Sequence, residues 1–157
     1  MLKFFEYNWQ VRDEWFNWCN QLTAEELVKD RIGGVGSILY TLFHIVDVEH
    51  SWIRHIQGKE NIDIEFTKYN TLEKVNYLSD TFRIDIADFL QTYMNQTKNE
   101  LVSVPWGEEF TKDELIHHII AHEIHHIGQL SVRARELELN PVSADFIRRK
   151  FKSVDSY

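Results

Sequence analysis

Residues 112–138, KDELIHHIIAHEIHHIGQLSVRARELE, decide how this chain is read. Thr111 followed by Glu114 is a capping box that opens a helix at about residue 112. Asn140-Pro141 closes it, because proline biases the residue before it away from helical conformation. Five of the eight histidines lie between: His117, His118, His122, His125 and His126. At roughly 100° per residue, His118 and His126 fall about 40° to either side of His122, a continuous i, i+4, i+8 stripe. Leu115, Ile119 and Leu130 flank it, so the stripe does not face open water. His117 points away from it toward solvent, and His125 sits about 60° off.

Imidazoles four residues apart on one helix can chelate one divalent ion. The plain alternative is a set of buried histidines, each with its own hydrogen-bond partner. Several neutral imidazoles in one apolar sector make a shared ion the simpler solution. Two other motifs overlap the stripe. His122-Glu123-Ile124-His125-His126 matches the zinc-protease pattern in which the glutamate is the general base. The glutamate, however, lies about 100° from His122, Gln129 stands where the extended motif needs glycine, and no upstream strands are at hand to bind a peptide. Glu123-x-x-His126 is half of a di-iron signature, but its only echo is Asp47-x-x-His50. Both readings are disfavoured.

Working outward, residues 2–21 read as a first helix rich in aromatics, and Thr23 with Glu26 opens a short one at about 24–29 before Gly33-Gly34 breaks the chain. A second long helix runs from 37 to 57, with Ile38, Leu42, Ile45, Val46, Trp52, Ile53 and Ile56 in helical register. Polar residues 58–70 look like a crossover loop. A third long helix is expected over 71–98, a turn or short extended piece at 104–107, and a short terminal helix near 143–152. No strand alternation stands out. The expected fold is all-α: a four-helix bundle of antiparallel long helices with short extra helices, forming one domain over 1–157.

Composition narrows the partners. A net charge of −8 disfavours nucleic acid, and Arg148-Arg149-Lys150 reads as a solvated helix end. Cys19 is the only cysteine, so an internal disulfide is excluded. The N-terminus lacks the apolar run of a signal peptide, and no apolar stretch nears the roughly 20 residues that span a bilayer. A cytoplasmic protein without a membrane partner is the default expectation.

Two stretches are familiar together. His118-Ile-Ile-Ala-His122-Glu-Ile-His-His126-Ile-Gly-Gln-Leu130 resembles the last long helix of the DinB/YfiT-like family, and Ser37-Ile-Leu-Tyr-Thr-Leu-Phe-His44-Ile-Val-Asp-Val-Glu-His-Ser-Trp52 resembles its second. Trp106-Gly107 fits the same pattern, and the likeness covers nearly the whole chain. It implies a four-helix bundle whose metal ligands are His44, His122 and His126. It also implies kinship with metal-dependent thiol S-transferases and isomerases that use bacillithiol, mycothiol or glutathione. Periodicity alone does not choose His44 over Glu49 or His50 on the second helix; the family pattern does.

Around such a centre, Glu49 is a candidate partner for a ligating imidazole, with a salt bridge to Arg or Lys as the alternative. His118, His125 and Glu123 are candidate proton carriers, and Gln129 could orient a bound ligand. Cys19, among the aromatics of the first helix, is expected to pack rather than react. Zinc or nickel is the expected ion, as three imidazoles suit a borderline metal and leave a position open. The partners implied are a small-molecule thiol and an electrophile, and a homodimer is left open. The alternative function is a non-catalytic metal-binding or interaction bundle, with a metal-dependent hydrolase behind it.

Overall fold

The computed structural model describes residues 1–93 and 99–151. Its helices are α1 (Leu2–Cys19), α2 (Ala24–Val28), α3 (Ile38–Ile56), α4 (Leu72–Tyr93) and α5 (Lys112–Glu136), with a 3₁₀ turn at Phe66–Lys68. Residues 94–98, to which the third long helix was expected to extend, lie outside the described part. The starts are set by side chains. The Thr23 hydroxyl accepts from the Glu26 N–H, and Ser37 accepts from that of Tyr40. Thr111 and Glu114 form the reciprocal box at α5, each bond satisfying a helix N–H that has no partner within its own helix.

The four long helices form the expected bundle, and each packs against two others: α3 against α4 and α5, and α1 against α4 and α5. Contacts fix their directions. Arg133 near the end of α5 meets Thr41 near the start of α3, so these helices are antiparallel. Phe5 and Trp9 of α1 share one core cluster with Ile86 and Leu90 of α4, while Val11 and Trp15 share the other with Val75 and Leu78, so α1 and α4 are antiparallel. Leu39 and Leu42 of α3 sit with Val75 and Leu78, and Ile53 and Ile56 with Ile86 and Leu90, so α3 and α4 run the same way, parallel where antiparallel long helices were expected. A nineteen-residue helix is about 28 Å long, and residues 57–71 return over that length as the crossover loop.

The core is in two parts. One cluster holds Val11, Trp15, Cys19, Leu39, Leu42, Val75, Leu78, Ile127 and Leu130. The other holds Phe5, Trp9, Ile53, Ile56, Ile86, Leu90, Leu115, Ile116 and Ile119. Between them lies a polar belt with one residue from each long helix. Arg12, fully buried, donates from Nε and Nη2 to the two oxygens of Glu123 at 2.8 and 2.5 Å. Its Nη1 donates to Glu49 at 2.8 Å and to Ser79 at 3.3 Å, and the Trp9 indole N–H donates to the other Glu49 oxygen at 2.9 Å. Burial works against a charged guanidinium, but Glu123 and Glu49 outweigh it and hold Arg12 above its ordinary range.

Two expectations change. Residues 101–111 form a small antiparallel hairpin, β1 (Leu101–Ser103) with β2 (Glu109–Thr111), Val102 opposite Phe110. Strands of three residues are too short to show alternation in a sequence. Residues 143–151 form no helix. They lie along α1 as an irregular tail with a turn at 147–148 and with Phe146 on Phe4 and Tyr7. The Tyr7 hydroxyl and the Gln10 amide donate to the carbonyls of Ala144 and Lys150, which meets backbone needs that a helix would have met internally. Arg149 is not a solvated helix end: it forms an ion pair with Glu14 and stacks over the Tyr7 ring. Among the described residues, no helix is long and apolar enough to cross a membrane.

Candidate metal centre

The seam between α3 and α5 carries the histidines. His122 Nε2 lies 3.1 Å from His44 Nε2 and 3.2 Å from His126 Nε2, and one nitrogen from each ring falls within 4.8 Å of the others. His44 and His122 are half-buried and His126 is buried. One N–H on His122 cannot serve both neighbours, and bare lone pairs at this distance repel. A cation at their centre removes the conflict: three nitrogens about 2.1 Å from a tetrahedral ion are about 3.4 Å apart, close to the separations seen. The donor set thus fits a divalent metal ion.

The rings are held ready for that role. Burial, then the neighbouring imidazoles His126 and His44, lowers His122 to about 3. His44 is lowered by burial and by His126. His126 is lowered by burial, partly offset by its hydrogen bond to Gln129. All three are neutral at pH 7, the form that binds metal. His126 Nδ1 lies 2.7 Å from Gln129 Oε1. An amide oxygen only accepts, so Nδ1 carries the proton and Nε2 is left free to face the centre.

Gln129 is itself fixed. Its Nε2 lies 3.0 Å from His125 Nε2, and the Gly33-Gly34 turn presses on it from the other side. A Cβ built on Gly34, where φ is +71°, would sit 2.6 Å from Gln129 Oε1. Arg133, two turns after His126, anchors that turn: it donates to the carbonyls of Ser37 and Gly33 and to the Thr41 hydroxyl. Sequence reasoning missed the roles of Gly34 and Arg133. The adjacent glycines were visible, but nothing in the sequence places their turn against α5.

The remaining candidates divide. Gln129 orients the His126 ring. His125 continues that chain, and His118 lies next along the stripe with its ring 6.0 Å from that of His122. Glu49 and Glu123 face the other way, into the polar belt. Glu49 is turned to Arg12 and Trp9 and not to an imidazole, the salt-bridge alternative. Glu123 is held bidentate by Arg12 and is not poised to carry protons or act as a protease base. His50, half of the di-iron echo, stacks on Phe82 at 3.5 Å. Cys19 is buried in the core, and burial pushes its thiol up to about 12, so it is no nucleophile at neutral pH. His117 and His55 bond the carbonyls of Asp113 and Ser103.

A helical bundle with a three-imidazole centre on the seam of two of its long helices defines the class of protein. The DinB family profile matches residues 1–153, and the chain belongs to that family. A protein of Bacillus subtilis (strain 168), YizA, described as uncharacterized, is 68% identical over the whole of both chains. A crystal structure of a DinB-like protein from Bacillus cereus ATCC 10987 superposes with a TM-score of 0.58 at 18% identity, covering 85% of this chain and 89% of that one. At that identity it supports the fold alone.

Proposed function

We propose that the protein is a metal-dependent thiol S-transferase joining a low-molecular-weight thiol to an electrophile. The observation that carries this reading is the convergence of His44, His122 and His126 through one nitrogen each, on a half-buried seam that leaves a side of the centre to the outside. Zinc or nickel is the ion favoured by three neutral imidazoles. Bound there, it would supply Lewis acidity that keeps a thiol ionised below its free pKa of about 8.5. The chain's own residues supply the rest. His44 and the α5 pair hold the centre, Gln129 fixes the His126 ring, and His118 and His125 flank the approach as groups able to take a proton. The nucleophile comes from outside, because the only cysteine is buried away from the triad. In the transfer, sulfur bonds to the electrophilic carbon and the broken bond's electrons go to the leaving group, which departs from an alkyl electrophile while the thiol proton passes to water, or to the oxygen of an epoxide, which stays attached and takes up a proton.

The test is a panel of bacillithiol, glutathione, coenzyme A and cysteine with an alkyl or epoxide electrophile, using protein loaded with zinc, loaded with nickel, or metal-free. Metal-loaded protein should accelerate at least one thiol near pH 7, and His44→Ala should abolish that rate while keeping its helical circular dichroism. If no thiol gains over the metal-free protein, the non-catalytic metal-binding bundle replaces this reading.

A further inference from the structure

One turn along α5 from the triad is a cavity of about 350 Å³ lined by Trp52, Trp106, Phe110, Glu114, Leu115 and His118. Its walls are aromatic and set at angles. The Trp52 and Trp106 rings are 5.9 Å apart at 88°, and Trp52 meets His118 at 5.6 Å and 75°. Trp106 is 61% exposed, a large indole kept in water at the tip of the β1–β2 hairpin. The turn that carries it is built: Gly107 has φ +92°, and Val104 and Glu108 pair across it. The indole N–H donates to Glu108, which holds the ring in place. An exposed indole fixed by its own turn and packed edge-on against Trp52 leaves aromatic surface available to a ligand in the cavity.

The charge of the lining narrows the ligand. None of the six side chains is Lys or Arg, and Glu114 is a carboxylate at the rim. The Thr111 N–H and hydroxyl both donate to it, which holds its carboxyl below the usual range and keeps it ionised. Aromatic faces carry negative charge and attract cations. For an anion the aromatic faces and the Glu114 carboxylate oppose the pull of the α5 N-terminus, while an uncharged group would use the walls and gain nothing from the carboxylate's charge.

We propose that this cavity binds a small organic cation, a quaternary or protonated amine carried on apolar carbon, beside the candidate metal centre. The proposal concerns binding and does not rest on the transferase reading.

Isosteric probes test it on metal-free protein at pH 8: choline, the neutral 3,3-dimethylbutan-1-ol and the anion 3,3-dimethylbutanoate. Binding is followed by the indole N–H signals of Trp52 and Trp106, assigned with Trp52→Phe and Trp106→Phe. Choline should bind about tenfold more tightly than the neutral alcohol, and the anion more weakly than either. Trp106→Ala, on an exposed turn, should weaken choline about tenfold or more with unchanged helical circular dichroism. Glu114→Gln, which keeps the capping box, should weaken choline and leave the alcohol unchanged. A choline-to-alcohol ratio under about threefold, or no saturable shift of the two indoles below about 50 mM, overturns the proposal. Neither result bears on thiol transfer, which is assayed separately with metal and thiol present.

Discussion

Gly34→Ala should loosen the metal centre without touching a ligand. At φ +71° the added Cβ lies 2.6 Å from Gln129 Oε1 and 3.0 Å from an Arg133 nitrogen. The left-handed conformation costs an alanine about 1–2 kcal/mol by itself. The clash adds a second effect. Gln129 is flexible in principle but pinned here, its oxygen to His126 at 2.7 Å and its nitrogen to His125 at 3.0 Å. Moving the oxygen out of contact range breaks the bond that fixes His126. Loss of such an outer partner typically costs about 10–100-fold in metal affinity, or roughly 1.4–2.7 kcal/mol. Competition of metal-free protein against a chelator of known zinc affinity measures it, with denaturant unfolding reporting the stability loss separately. Gln129→Leu should weaken zinc to the same degree. Combined with Gly34→Ala it should be clearly less than additive, because both changes act through one hydrogen bond. Zinc affinity unchanged in Gly34→Ala, or a fully additive double variant, would refute the chain from turn to amide to imidazole.

Other outcomes follow from the same geometry. His122→Ala should bring metal content to background by elemental analysis, Cys19→Ser should not, and chelator should lower the melting temperature of the parent protein, since metal bound only to the native state stabilises it. Arg12→Met leaves Glu49 and Glu123 buried without their cation and should cost about 3–5 kcal/mol in urea unfolding; a loss below 1 kcal/mol would show that water or rearrangement satisfies them. His50, lowered to about 4 by burial and then by Arg54, takes up its proton more readily in the unfolded chain, whose ordinary value is 6.5. Stability present above pH 6.5 should therefore fall as pH drops toward 4, the triad adding to the loss because its rings are also lowered. Urea midpoints of metal-free protein across that window check the sign, and His50→Phe should flatten the slope.

The helices were legible because their signals are local. Thr111 with Glu114 and Thr23 with Glu26 are read within four residues, and the structure uses both as caps. The His122 and His126 spacing is local too. His44 was harder: it is half-buried at a helix seam, so periodicity puts it at an edge and only the family pattern selects it. Glu49 shows the opposite failure. A salt bridge to Arg or Lys was one of its two readings, but its partner Arg12 lies on another helix, 37 positions away in sequence, and no pattern within α3 could name it. The tail misled because the surface that accepts Phe146 belongs to α1, outside the segment being read.

The polar belt has a consequence for how ions come and go. Arg12, Glu49, Ser79 and Glu123 meet only when all four long helices stand at one height: sliding α1, α3 or α5 strands a buried charge, and sliding α4 loses the Ser79 bond. That height also sets His44 opposite His122. The scaffold therefore does the gathering that metal does in small zinc-folded domains, and occupancy can turn over while the bundle stays closed. Three imidazoles favour borderline ions such as zinc and nickel but do not by themselves choose between the two. Which of these ions would fill the centre is then a matter of supply, and one folded preparation offered each ion in turn would compare them side by side.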